Sequence, residues 1–207
     1  TDAAVAPEVL QAALTEAVDA SFNRITVDGD MSTNDMLVVL ANGMAANPQI
    51  TSLEGPEYTE FAAALRAAAL NLAKKVARDG EGATKFIEIE VKGAANDADA
   101  RKAGMAIANS PLVKTAFFGQ DPNWGRILCA AGYSGAELDP LKTTLAIGGV
   151  QIVDGGLGAK FEEKALRSVM AEREIKVVID LGVGTAGTTI YTCDMSYEYI
   201  KINGEYT

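Results

Sequence analysis

Histidine is absent from the 207 residues of the sequence. That removes Ser-His-Asp and Cys-His chemistry, and with them the commonest metal ligand. Any base must then be a carboxylate, a lysine, a tyrosine or an α-amine. Cysteine is scarce: only Cys129 and Cys193 occur, with no CxxC pair near either. Both lie in apolar or β-rich stretches and read as buried free thiols, which points to a reducing compartment. Long apolar runs are missing too. The longest are alanine-rich stretches broken by Arg66, Lys74 and Lys75, and none approaches the ~20 residues that cross a bilayer. No signal-peptide pattern is visible. Basic residues are outnumbered, with Lys and Arg at 18 against 28 for Asp and Glu, a formal charge of −10. Such a chain repels phosphate backbones and anionic lipid, so neither nucleic acid nor membrane is an expected partner. The charge reads simply as a soluble surface.

What is present is a core. Hydrophobic residues make up 48% of the chain, enough for one large domain or two small ones. Pro7 opens a helical pattern through Val9, Leu10, Ala13, Leu14 and Val18. Asn23 to Val27 reads as a short strand, followed by the turn Asp28-Gly29-Asp30, and Met36 to Leu40 is an apolar run ending at Asn42-Gly43. A long helix starts at Gly55-Pro56, with Phe61, Leu65, Ala69, Leu72 and Val76 as its buried face, and ends at Asp79-Gly80. Phe86 to Lys92 alternates as a half-buried strand. Asp97 to Ala108 is helical and stops at Asn109-Ser110-Pro111. Val113 to Phe118 reads as a strand, and Trp124 to Ala131 as a short helix. Thr143 to Ile147 and Val150 to Val153 form a hairpin around Gly148-Gly149. Phe161 to Met170 is helical, and Ile175 to Leu181 and Thr188 to Cys193 are strands. Helices come singly between strands, without repeats or linkers, so the expected class is α+β, with sheets covered by helices. The chain is treated as one unit, 1–207, with room for a smaller C-terminal subdomain from about residue 140.

Gly182-Val183-Gly184-Thr185-Ala186-Gly187 matches GxGxxG. A dinucleotide site needs a helix to open there, so that its amides face the pyrophosphate. Thr188-Thr189-Ile190-Tyr191-Thr192 follows instead, which is β-branched and aromatic. The stretch reads as a glycine-rich turn or bulge.

The sequence opens Thr1-Asp2-Ala3-Ala4-Val5, without methionine. A processed start or an absent upstream segment would each account for this. A threonine at a true terminus carries a hydroxyl and a free α-amine on one residue. The hydroxyl is a poor nucleophile alone, and the amine can take its proton directly or through water. Acyl transfer is therefore open to a chain without histidine.

Several segments together narrow the reading. They are Thr1-Asp2-Ala3-Ala4; Asp28-Gly29-Asp30-Met31-Ser32-Thr33-Asn34-Asp35; Asp79-Gly80-Glu81-Gly82-Ala83-Thr84-Lys85; Ala108-Asn109-Ser110-Pro111-Leu112-Val113-Lys114; Asp121-Pro122-Asn123-Trp124-Gly125-Arg126; and the tail Tyr199-Ile200-Lys201-Ile202-Asn203. Over its whole length the chain resembles the β-chain of the ornithine acetyltransferase (glutamate N-acetyltransferase) family of arginine biosynthesis. The resemblance implies a layered αββα-type, N-terminal-nucleophile-like fold. It implies a cytoplasmic precursor that cuts itself before Thr1, leaving an α-chain as partner, commonly as an α2β2 heterotetramer. It implies ping-pong acetyl transfer from N-acetylornithine to glutamate through an acetyl-Thr1 ester, with acetyl-CoA as a further donor in some members. No cofactor or metal is implied.

Residue by residue, the resemblance makes Thr1 the nucleophile and Glu81 and Asn203 substrate contacts. A carboxylate at Glu81 suits an α-ammonium, and an amide at Asn203 offers both donor and acceptor. The family's tail runs N-x-x-Y-x-T. Here Tyr206 is followed by Thr207 alone, so Thr207 is not assigned to the site. The family's oxyanion donors, a Thr-Gly pair, and a substrate-binding lysine belong to the α-chain. Asp28, Asp30 and Asp35 read as turn and cap chemistry rather than metal ligands, and Trp124 as a core anchor. Arg126 has two readings, a pair with Asp121 or a carboxylate contact. Lys114 reads as a solvated lysine or a structural ion pair. Two other functions share these residues: an N-terminal-nucleophile aminopeptidase, with water as acceptor, and a non-catalytic amino-acid-binding subunit.

Overall fold

A computed structural model of the chain describes residues 1–205; Tyr206 and Thr207 lie outside the described residues. The chain divides into two compact units, Thr1–Ile25 with Asp30–Lys75, and Thr26–Gly29 with the chain from Val76 onward.

In the first unit, α1 (Pro7–Asp19) begins with proline at its first turn, where the missing N–H costs nothing. Val9, Ala13 and Ala17 form its buried stripe. Ahead of it, Val5 makes a parallel bridge to Ile50. The Ala6 N–H donates to the Ile50 carbonyl at 2.9 Å, and the Ile50 N–H to the Ala4 carbonyl at 3.0 Å. Val5, Ala6, Val9, Ala13 and Tyr58 make a small core, with Phe61 and Leu65 packed against it. The Tyr58 hydroxyl donates to Glu16 at 3.0 Å, and burial, followed by that carboxylate, pushes its pKa up. Most of α2 (Pro56–Arg78) belongs to this unit. Its apolar row follows the expected Phe61, Leu65 and Ala69, then continues through buried Ala73 and Ala77. Leu72 and Val76, expected to be buried, are about half exposed. The i, i+4 row outlasts side-chain size here, because small residues let a helix approach its support closely.

The strand expected over 23–27 is instead a 3₁₀ turn, Phe22–Arg24. Backbone order is set locally: the Ser21 hydroxyl donates to the Ala17 carbonyl at 2.5 Å and the Arg24 guanidinium to the Asp19 carbonyl at 3.0 Å. These bonds finish the end of α1 and compete with a strand ladder.

The second unit is built on a six-stranded mixed sheet of β1 (Phe86–Ala94), β2 (Thr144–Ile147), β3 (Val150–Asp154), β4 (Leu157–Gly158), β5 (Glu174–Asp180) and β6 (Ala186–Cys193). Their order is β4-β3-β2-β5-β1-β6. β1 pairs with β5 in parallel and with β6 antiparallel. Ile87, Ile89 and Val91 are buried along β1 as the alternation predicts. β2 and β3 form the expected hairpin, with Gly148 at φ 55° and Gly149 at φ 82°. Two positive φ angles in a two-residue loop match the right-handed twist of the strands.

Helices α3 (Asp97–Asn109), α4 (Pro111–Phe118), α5 (Trp124–Gly132), α6 (Glu163–Ala171) and α7 (Tyr197–Gly204) complete the unit. α3 lies on β1 and β6, and a Cβ on its Gly104 would stand 2.6 Å from Ile190. Ile107, Phe117, Ile127, Leu145 and Met170 join the strand residues in one core; each such side chain contributes about 1.5–3 kcal/mol on burial. The α+β class is as expected.

The strand expected at Val113 to Phe118 is helix α4. Ser110 caps it by accepting from the Val113 N–H, and Pro111 takes the first turn. Start signals thus overrode the β propensity of the valine, threonine and phenylalanines. The GxGxxG stretch opens no helix. It carries the chain from β5 across the end of β1 into β6. The N–H groups of Val183 and Gly184 both donate to the Gly93 carbonyl at 2.9 Å. A Cβ on Gly184 would lie 2.3 Å from the Ala94 carbonyl oxygen, so glycine serves close backbone approach here.

Candidate active site

Thr1 is exposed and held in place by its backbone. Its amine donates to the Leu40 carbonyl at 2.8 Å, and its carbonyl accepts from the Asn42 N–H at 3.2 Å. The Asp2 carbonyl accepts from Ala45 at 2.8 Å. Asn47 then grips Ala4 at both ends, accepting its N–H at 2.8 Å and donating to its carbonyl at 3.2 Å. The Thr1 hydroxyl accepts the Ala3 N–H at 3.3 Å. A hydroxyl used as an acceptor keeps its own proton available for transfer. The Thr1 backbone is therefore held on both sides, on an exposed residue that carries a hydroxyl.

Glu81 and Asn203 lie in the other unit, and the structure brings them together. The Asn203 amide donates to the Glu81 carboxylate at 2.5 Å and to the Tyr199 carbonyl at 3.0 Å. Both residues are exposed. Glu81 sits on the turn between α2 and β1, and Asn203 on α7, one helical turn beyond Tyr199. Ser196 caps α7, accepting from the Glu198 N–H at 3.2 Å. The turn and the helix meet because residue 82 is glycine. Gly82 has φ +66°, and a Cβ there would lie 2.7 Å from the Tyr199 nitrogen. The Tyr199 hydroxyl donates to Asp28 at 2.9 Å, and Gly29 takes φ 93° as its N–H donates to the Thr26 hydroxyl at 3.1 Å. The expected turn chemistry of the Asp28-Gly29-Asp30 string thus anchors α7.

Lys114, which the sequence suggested was solvated or ion-paired, packs instead against the end of β6. It is 2% exposed. Its amine donates to the Thr192 hydroxyl at 2.9 Å and to the Cys193 carbonyl. Burial pushes its pKa down, against the pull of Cys193, Asp194 and Asp28. The same burial pushes the Cys193 thiol up, with Lys114 opposing. Position 114 falls on the inner face of α4, and the helix, misread as a strand, is what hides it. Cys129, expected to be buried, is exposed; α5 turns Ile127, Ala130 and Ala131 inward instead. The Arg126 guanidinium donates to the Leu112 carbonyl at 2.8 Å, while Asp121 accepts from Asn123 at 3.0 Å. Trp124 packs against the core, as expected.

Asp194 and Ser196 carried no sequence signal for a site. Asp194 is 2% exposed. One of its oxygens accepts the N–H groups of Thr84 and Lys85, each at 2.8 Å, and the other accepts the Thr84 hydroxyl at 2.5 Å.

A profile of the ArgJ family matches residues 1–207. The chain belongs to the ArgJ family. It is 53% identical to the arginine biosynthesis bifunctional protein ArgJ of Symbiobacterium thermophilum over 206 residues, covering 100% of this chain and 51% of that protein. Against the protein of the same name from Geobacter sulfurreducens the identity is 52%, covering 100% of this chain and 52% of that protein. The chain thus spans about half the length of the curated relatives it matches. The crystal structure of arginine biosynthesis bifunctional protein argJ from Bacillus halodurans matches this ArgJ-family fold with a TM-score of 0.95 at 44% identity, covering 99% of this chain and 96% of that one. No helix among the described residues is long and apolar enough to cross a membrane.

Proposed function

We propose that the chain is the nucleophile-bearing part of an acetyltransferase of arginine biosynthesis, moving acetyl from N-acetylornithine to glutamate with Thr1 as nucleophile. What carries the reading is the Thr1 hydroxyl, exposed on a pinned backbone, in a chain that the ArgJ family matches end to end. Thr1 Oγ1 attacks the acetyl carbonyl carbon, and its proton passes to the Thr1 amine. The C–N bond of the donor then breaks, and ornithine leaves with that proton on its nitrogen. The acetyl ester on Thr1 is next attacked by the amine of glutamate, which releases N-acetylglutamate and restores the hydroxyl. Glu81 and Asn203 hold the charged groups of the bound amino acid, the carboxylate facing an ammonium. Acetyl-CoA is a second donor within this reading, and the cytoplasm its compartment.

The tetrahedral intermediates need preorganised donors. In this reading an α-chain from the same precursor supplies them, in an α2β2 assembly. Met31, Met36, Val38, Leu40 and Met44 stand 60–95% exposed in the first unit. An apolar stretch of that size is unusual on a finished surface and favours a partner against it. The relatives' other half is the candidate.

The test is mass spectrometry of the complete protein after incubation with N-acetylornithine and an acid quench. The expected result is one added acetyl group on a peptide that starts at Thr1, discharged faster by glutamate than by water. Discharge by water alone would favour an aminopeptidase. A Thr1 still joined to upstream residues would end the proposal, because an amide nitrogen cannot act as the base.

A further inference from the structure

The Glu81–Asn203 pair is assembled from two pieces of chain that meet only in the fold. Asp194 follows β6 directly and is buried, yet it touches neither Glu81 nor Asn203. It spends both oxygens on the other piece, taking the N–H groups of Thr84 and Lys85 and the Thr84 hydroxyl. A carboxylate that accepts two consecutive backbone N–H groups fixes the direction of that backbone. Two residues on, the Ser196 hydroxyl donates to the Gly82 carbonyl at 2.6 Å while accepting from the Glu198 N–H at 3.2 Å. One hydroxyl therefore ties the Glu81 turn to the start of the helix that carries Asn203. Glu81 lies directly before the residues so gripped.

We propose that Asp194 and Ser196 are positioning residues that set the Glu81–Asn203 pair for the amino-acid substrate. This rests on the reading of that pair as a substrate contact. The geometry separates two kinds of effect. Loss of the clamp lets the turn shift relative to α7, which weakens the hold on the amino acid but leaves Thr1 and its backbone partners untouched. Asp194→Asn is a faithful rescue. Its amide oxygen keeps both backbone donors, and its NH₂ meets the Thr84 hydroxyl, which rotates to accept.

The experiment is steady-state acetyl transfer by the complete two-chain enzyme, with glutamate varied. Asp194→Ala is expected to raise KM for glutamate about tenfold, with kcat within about twofold. Asp194→Asn should return KM to within about threefold of the parent. Ser196→Ala, which deletes fewer bonds and spares the carboxylate, should raise KM about threefold and carries the same test if Asp194→Ala does not fold. Glu81→Ala should raise KM on its own, and adding Asp194→Ala to it should add little. If Glu81→Ala raises KM but neither Asp194→Ala nor Ser196→Ala does, the positioning role is refuted and the pair stands. If Glu81→Ala leaves KM unchanged, the reading of the pair itself falls. A fall in kcat equal to the change in kcat/KM would also overturn the inference, since it would place the effect on the transition state.

Discussion

Replacing Lys114 with methionine sets two large effects against each other. Methionine keeps much of the length and volume, so packing around α4 is nearly conserved. The substitution relieves the burial of an amine, which burial already pushes toward its neutral form. It also strips a donor from the Cys193 carbonyl and from the Thr192 hydroxyl. Thr192 retains only long contacts, at 3.5 Å, to the carbonyls of Ala108 and Cys193. An orphaned buried polar group costs about 1–3 kcal/mol, and relief of a buried charge returns part of that. Because the acceptors stay behind, loss wins: Lys114→Met should destabilise the protein by about 2–4 kcal/mol at pH 7, or roughly 5–15 °C in melting temperature.

The pH dependence has a definite sign. Between the lowered folded pKa and the ordinary value of 10.5, the unfolded chain binds the proton that the folded chain does not. The parent therefore gains stability as pH rises through that window and loses it as pH falls. Met has no such slope, so the gap between the two proteins should widen from pH 8 to pH 10. Cys193 gives an opposite slope, since its thiol is raised above 9.0, and with Lys114's opposition removed that thiol rises further in the variant, which adds to the widening of the gap. Urea melts of parent and variant at several pH values measure both quantities. A variant as stable as the parent at pH 7, or a gap that narrows on alkalinisation, would refute the reasoning.

Two further predictions concern close packing and exposure. Gly184→Ala should cost about 1–3 kcal/mol, because its Cβ would meet a backbone carbonyl that is itself fixed in the β1 bulge; an unchanged melting temperature would contradict the crossover. Under native conditions a thiol reagent should modify Cys129 and spare Cys193, since only the first is exposed and the second has its thiolate disfavoured by burial. Peptide mapping after alkylation reads this directly, and equal labelling would contradict the placement of β6.

The sequence showed most of this architecture where a pattern was long or punctuated. β1 alternates cleanly, the Gly148-Gly149 hairpin announces its turn, and α1 has its proline. It failed where two signals competed. Residues 113–118 carry valine, threonine and two phenylalanines, but Ser110-Pro111 is a helix start, and the cap decided. That one misreading also hid Lys114, because a strand would have placed every second side chain on the same face. After Ala69 the sequence offers Leu72 and Val76 as the larger apolar residues, but the helix buries Ala73 and Ala77. Of the site, the resemblance supplied Glu81 and Asn203, and the structure joined them. Asp194 was illegible because its partners are backbone N–H groups of a turn more than half the chain away, which no local pattern encodes.

The sheet order carries a consequence for synthesis. β1 leaves the ribosome before α3 to α6, yet both strands that flank it, β5 and β6, are made only after those helices. Until they arrive, its isoleucines and both backbone edges have no sheet to join. Such long-range pairing makes for slow folding and a sticky nascent chain. A deletion that removes β6 and α7 would take away the turn clamp and also leave β1 as an unpaired edge strand, so such deletions should surface as aggregation before they surface as lost activity.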